Sequence, residues 1–294
     1  MDEKKVSSTG TNLEKLKRAF EAEKNNNESG MNWWRPQFGI NTVRILPAED
    51  PEDIFFFPTA RHKIDEDYYY CLKYHTDPDT GRGEKCPVCE TRKRLFRSGD
   101  PTLIKIAKDI KAKKQFLMNL IDRASEDPAK VFIFAAGVKI NDKICSSMID
   151  DNIDITDVKN GYDFIVKKEE GPKTENGQFP SYDNSKAKRQ SSPLHDDEEV
   201  VQKILESRND LKSVPRFDTP EVLQNAIDSY IKNLTEGGSK NERFYEEQES
   251  PAPEETPTPS AKAKTSISDF KKKLQDSLKV DDDDEEEDGD SFPG

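Results

Sequence analysis

The chain has 294 residues, 36% charged and 32% hydrophobic, with a formal net charge of −13. That length holds one domain of roughly 200 residues plus tails, or two small domains, and so low an apolar share leaves part of the chain outside any packed core. No apolar run approaches the ~18 residues of a membrane span, so no membrane partner is expected. No apolar stretch follows Met1-Asp2-Glu3-Lys4-Lys5, so no secretory signal is expected either.

The negative charge is concentrated at one end. Asn241 to Gly294 carries 17 acids and 7 bases, a net of −10, which leaves −3 for the first 240 residues. Within those, Lys85 to Lys114 has 10 bases and 3 acids, a net of +7. An acidic average therefore does not exclude a nucleic-acid partner.

In chain order, the first element is a basic-hydroxyl stretch, Lys4-Lys5-Val6-Ser7-Ser8-Thr9. A helix is predicted next, with Thr11 and Glu14 as a capping box and Leu13, Leu16 and Phe20 at helical spacing. Asn25 to Gly30 reads as a linker. Trp33 and Trp34 stand at a strand entrance, at least one of them core. Asn41 to Leu46 alternates polar and apolar residues and stops at Pro47, which predicts a strand; Ile54 to Phe57 is predicted as a second.

Tyr68-Tyr69-Tyr70 runs into Cys71, and the turn-rich Asp77 to Gly81 leads to Cys86. Helices are predicted over 90–97 and 101–113, the second striped by Leu103, Ile106 and Ile110. Strands are predicted at 115–121, 131–135, briefly at 138–140, and at 161–167, whereas 171–190 lacks a core pattern and reads as a loop. Two helices follow, over about 197–208 and from Thr219-Pro220 onward, where Pro occupies the first helical position. Order is expected to end near Glu236-Gly237-Gly238. The tail then holds a Pro/Glu/Thr-rich stretch, an amphipathic segment with Ile267, Phe270, Leu274 and Leu278, and the acidic run from Asp281.

The fold class expected is mainly β with flanking helices: an OB-fold-like antiparallel barrel, an inserted structural zinc subdomain and a disordered acidic C-terminal tail. The divisions expected are an arm at 1–24, a core at 25–236 with the zinc subdomain at about 62–113, and a partner-binding tail at 237–294.

Three of the four cysteines and two of the three histidines fall between positions 62 and 89. Cys86-Pro87-Val88-Cys89 supplies two zinc ligands from one turn, and Cys71 is a third. The fourth is His62 or His75; the Cys-x-x-x-His spacing from Cys71 suits His75. Such clustering argues for a reducing compartment, and Cys145 is expected to be a packed thiol. No His-Glu-x-x-His motif, P-loop, nucleophile elbow or paired catalytic carboxylates occur, so the zinc is expected to be structural and the protein not an enzyme.

Cations interleaved with flat side chains suit a single-stranded nucleic acid. The candidates are Arg44, Arg92, Arg94 and the lysines up to Lys114, with Phe116, Phe132 or Phe134, and Tyr182. Tyr182 lies in the polar run Gln178 to Lys186, where an aromatic has little core to join.

Several segments resemble the single-stranded DNA-binding (helix-destabilising) proteins of T-even bacteriophages. They are Lys4 to Thr9, Val43-Arg44-Ile45-Leu46-Pro47, Lys111 to Asn119, Val131 to Phe134, and Phe179-x-x-Tyr182-Asp183-x-Ser185-Lys186. The resemblance implies a cooperativity arm holding Lys4, Lys5, Ser7, Ser8 and Thr9. It implies a DNA cleft with Arg44, Lys111, Lys113, Phe116, Phe134, Phe179, Tyr182 and Lys186, to which the basic run adds the neighbouring cations Arg92, Arg94 and Lys114. It also assigns the zinc to His62, Cys71, Cys86 and Cys89, with His75 a spectator.

The function it implies is sequence-independent, cooperative binding of single-stranded DNA in phage replication, recombination and repair. Self-association along the strand would accompany it, and the acidic tail would recruit replication proteins. The setting would be the cytoplasm of the infected bacterial host. A zinc-containing RNA-binding regulator or adaptor is the alternative reading.

Overall fold

In a computed structural model we describe residues 31–75, 83–174 and 177–236. The expected arm, the Asp77 to Gly81 turn and the acidic tail lie outside the described residues. The chain divides into two compact units. A sheet unit holds the described residues up to Phe57 together with Gln115–Val214. A metal unit holds Pro58–Lys114 and the residues from Pro215 onward.

The sheet unit is a half-barrel built on strands β1 (Trp33–Trp34), β2 (Gly39–Ile45), β5 (Lys113–Asp122), β6 (Val131–Gly137) and β7 (Tyr162–Thr174), in the order β1-β6-β5-β2-β7. All neighbours are antiparallel except β1 and β6. Strands β8 (Gly177–Ser181) and β9 (Lys186–Ser191) both pair with β7, at opposite ends of it. Trp34 is buried and donates its indole N–H to Asp122 Oδ2 at 2.8 Å.

The central strands are buried on both faces, which is why β5 and β6 read as almost unbroken apolar runs. On one face lie Met118, Leu120, Phe134 and Ala136, packed with Val43, Ile45, Phe164, and Ile140 and Ile144 from helix α3 (Val138–Asp150). The other face splits in two: Leu46, Ile121 and Val131 meet Leu194 and Ile204 of helix α4 (Glu198–Glu206), and Leu117 and Ile133 meet Val214. Asn119 is the polar residue in that second layer. Its side chain is satisfied by three hydrogen bonds of 2.9–3.0 Å with Asn209.

Two sequence expectations change here. Residues 138–140 begin helix α3 rather than a strand, because Ile140, Ile144 and Met148 recur four apart and pack as one stripe. Residues 171–190 are not a loop: β7 runs to Thr174 and hairpins into β8, and β9 follows. Most of the side chains of β8 and β9 face solvent, so no alternation marks them. A Cβ on Gly171 would overlap the Phe179 carbonyl, and Gly177 turns the hairpin at φ +105°.

The metal unit begins with the hairpin of β3 (Phe56–Ile64) and β4 (Asp67–Tyr70), of which Phe56 and Phe57 belong to the sheet unit. Helix α1 (Pro87–Arg97) and helix α2 (Pro101–Asp109) follow, both with proline at the first position; Asp100 caps α2 by accepting from Thr102 N–H at 2.9 Å. Helix α5 (Pro220–Glu236) completes the unit. Leu223, Ile227 and Ile231, one turn apart, close over Val88, Leu95, Leu103, Ile106 and Ile110. The metal unit is therefore discontinuous in sequence, a property that the linear subdomain expected over about 62–113 lacks.

Ile227 is fully buried at the centre of that face. Ile227→Ala is expected to destabilise the metal unit by about 2–5 kcal/mol, measured as a fall in its urea midpoint. An unchanged midpoint would show that α5 contributes little.

Candidate metal centre and nucleic-acid interface

The ligand geometry follows from the hairpin's period of two. Ala60, His62 and Ile64 point into the unit while Arg61 and Lys63 point out. The Cys71 N–H donates to the Ala60 carbonyl at 2.9 Å, which fixes the first cysteine beside His62. Cys86 occupies the position before α1 and Cys89 its first turn, where the helix N-terminus favours thiolate.

The four donor atoms lie within 4.8 Å of one another. Cys86 Sγ is 3.4 Å from His62 Nε2, Cys89 Sγ is 3.6 Å from it, and Cys71 Sγ is 3.6 Å from Cys89 Sγ. Tetrahedral zinc with ordinary bond lengths requires ligand separations of about 3.6 Å for S to N and about 3.8 Å for S to S. The donors fit one such ion, and four protein ligands leave it no open position. His62 Nδ1 donates to the Ile110 carbonyl at 2.8 Å, so the Nε2 lone pair is the one aimed at the metal.

Burial opposes charge on His62, but hydrogen bonds to Cys86 and Cys89 outweigh it and push the imidazole pKa up to about 10. Contacts with its two sulfur neighbours raise the Cys71 thiol, and the same kind of contacts lower Cys86. His75 is not part of the group. It sits 2.7 Å from Glu84 Oε1 and stacks on Phe217 at 4.6 Å, so the choice that spacing alone favours is corrected to His62. Cys145 is half-buried in the sheet unit, outside the cluster.

Two residues expected in a DNA cleft are placed otherwise. Arg44 is only 1% exposed. Its guanidinium donates to the carbonyls of Ser192 and Pro193 and to Ser192 Oγ, and Nε lies 3.6 Å from the Asp163 carboxylate. Burial pushes its pKa down while Asp163 pulls it back up. Arg44 anchors the chain after β9 rather than presenting a cation to solvent. Phe134 is buried against Trp34, edge to face at 4.9 Å, on the face of β6 that packs with Ile140 and Ile144 of α3.

The other candidates have accessible surface. In the sheet unit, Phe179 is 61% exposed, Lys186 is exposed, and Tyr182 is half-buried against the core with its phenol pKa raised by burial. Phe116 is half-buried, edge to face with Phe56 at 5.3 Å. Lys130 Nζ sits 5.2 Å from the Phe132 ring. In the metal unit, Lys111, Lys113 and Lys114 are exposed. Arg92 lies over Phe96 at 5.7 Å, and Arg94 donates to Thr91 Oγ1 at 3.2 Å.

Two ring-and-cation pairs escaped the sequence reading. Phe38, 65% exposed, lies under Lys168 Nζ at 4.6 Å. On the outer face of the metal unit's hairpin, Arg61 lies 5.1 Å from the ring of Tyr68 and 5.8 Å from that of Tyr70, and Tyr68 is 58% exposed. The signal for the second was present. Residues 68 and 70 share a face by strand alternation, and the register sets Arg61 opposite Tyr70.

Structural zinc contributes about 10–16 kcal/mol in small zinc domains, more than most domains' whole stability. Chelation, or Cys86→Ser, is therefore expected to remove one zinc per chain and unfold the metal unit, read by metal analysis and circular dichroism. His75→Ala should keep the metal. A chelated chain with an unaltered melting curve would refute the structural role.

No curated protein matches the chain. The sequence profile of the family described as gp32 DNA binding protein like matches residues 37–227, about two thirds of the length. With that match over the strands, the cysteine cluster and the exposed ring-and-cation pairs, the chain belongs to the gp32-like DNA-binding protein family and binds single-stranded DNA.

Proposed function

We propose that this protein coats single-stranded DNA cooperatively and without sequence preference, as a non-enzymatic component of phage replication, recombination and repair in the cytoplasm of an infected bacterium. The observation that carries this reading is the recurrence of accessible rings beside cations on each unit: Phe38 with Lys168, Phe132 with Lys130, Arg61 with Tyr68. Every base offers a π-face and every nucleotide a phosphate, so such pairs hold a strand without reading its sequence. Phe179, Tyr182, Lys186 and the lysines at 111, 113 and 114 extend the same chemistry. The zinc serves the fold.

Lys4, Lys5, Ser7, Ser8 and Thr9 belong to an arm that carries cooperativity between neighbours on the strand. The acidic run from Asp281 competes with DNA for the cationic surfaces and recruits replication proteins.

The test is a fluorescence titration of zinc-loaded protein with oligo-dT of increasing length at two salt concentrations. Tight, length-dependent binding that weakens steeply with salt is expected. Preference for structured RNA over oligo-dT would overturn the reading in favour of an RNA-binding regulator. Phe179→Ala and Tyr68→Ala are each expected to cost about 1–3 kcal/mol of binding, with folding intact by circular dichroism.

Deletion of residues 1–24 should abolish sigmoidal binding while sparing affinity for a short oligonucleotide. Deletion of 281–294 should lower the melting temperature of duplex DNA in the protein's presence. Sigmoidal curves or duplex melting that these deletions leave unchanged would remove those roles.

A further inference from the structure

The sheet unit carries a groove of about 620 Å³ between the segment after β2 and helix α3. Ile54, Phe55, Cys145, Met148 and Ile149 give it an apolar lining. Ile54 and Ile149 are 61% and 76% exposed, an apolar surface that solvent does not favour. Acids rim it: Asp50, Asp53 and Asp154 line the opening, and Glu49, Glu52, Asp150 and Asp151 are exposed beside them in sequence. Two cations offset only part of this charge: Lys212 lies 3.0 Å from Asp53, and Arg208 donates to the carbonyls of Pro47 and Ala48 at 3.0 and 2.6 Å. An occupant must therefore present an apolar ridge flanked by positive charge.

The chain itself contains such a segment. Residues 262–280 hold six lysines (262, 264, 271, 272, 273 and 279) and two acids (Asp269 and Asp276), a net of +4. Ile267, Phe270, Leu274 and Leu278 recur at helical spacing. At about 100° per residue, the two acids fall opposite that stripe while Lys264 and Lys271 flank it. The N-terminal stripe Leu13, Leu16, Phe20 fits less well, because Glu21 and Glu23 lie on its flanks by the same reckoning. Thirty residues separate Glu236, the end of α5, from Ile267. As a flexible link they span on the order of 30 Å on average, which keeps the segment tethered to the chain that carries the groove.

We propose that residues 262–280 fold back onto this acid-rimmed groove of the same chain. The apolar ridge is then covered in the resting protein, and a partner that takes the tail must first draw it out of the groove. This holds whether or not the protein coats DNA.

Cys145 lines the groove and is the one cysteine outside the metal cluster, so its reactivity reports occupancy. In full-length, zinc-loaded protein, maleimide should label Cys145 roughly tenfold more slowly than after deletion of 262–280, as an occupant on the same chain protects it. The pair Lys271→Glu and Lys273→Glu, which leaves chain length intact, should release the protection, as should high salt. With Phe270→Cys, mild oxidation should join position 270 to Cys145 within one chain.

Equal labelling rates with and without the segment would overturn the proposal. So would protection that survives its deletion but is lost on deletion of 1–24, or a disulfide that forms only between two chains; these would assign the groove to the arm or to a second copy.

Discussion

Three sulfurs and an imidazole held within 4.8 Å of one another form a cluster with the donor set and spacing of a tetrahedral metal site. His62, Cys71 and Cys86 are buried, so water cannot screen the charge. The occupant of this cluster fixes more than four side chains. Holding His62 inward sets the register of the β3–β4 hairpin, and a strand cannot rotate one residue without exchanging its faces. The outward face, with Arg61, Lys63, Tyr68 and Tyr70, is thus determined by the inward one. If the outer face carries DNA as proposed, a metal held inside and the rings outside are two sides of one ribbon, and the metal would support binding without touching a nucleotide.

Among its described residues the sheet unit has no such ligand cluster, and a buried carboxylate gathers cations there. Asp163 gathers Arg44, Arg123 at 2.9 Å and Lys188 at 3.2 Å. Arg123 also donates to the carbonyls of Pro193 and Leu194. The two guanidiniums therefore tie the chain leaving β9 to the centre of the sheet. A buried ion pair contributes little net stability, but removing one partner leaves the other uncompensated. A cation conspicuous in sequence can thus be structural in the fold.

That case marks the limit of what the sequence makes legible. The cysteine spacing, the β5 and β6 runs, and the stripe of α5 were readable because each has a period or a ligand chemistry of its own. Arg44 and Phe134 were misplaced because their segments match a DNA-binding pattern, while their depth depends on neighbours far away in the chain. Helix α3 was obscured by β-branched residues at its start, and β8 and β9 by having most of their side chains in water. Phe38 was invisible for the opposite reason: its partner Lys168 is 130 positions away. The Arg61–Tyr68 pair was within reach of the alternation rule and went unread.

The discontinuity of the metal unit bears on how the protein is made. Its ligands span 62–89, a short loop that closes early during synthesis. The helix that covers them, α5, emerges more than a hundred residues later. Between those two moments the apolar face of Leu95, Leu103 and Ile106 has no lid. A metal captured by these ligands before α5 emerges would hold the nascent unit together while the sheet residues are added. A ribosome stalled between residues 114 and 220 would display a metal-loaded, sticky intermediate, the kind of species on which aggregation begins.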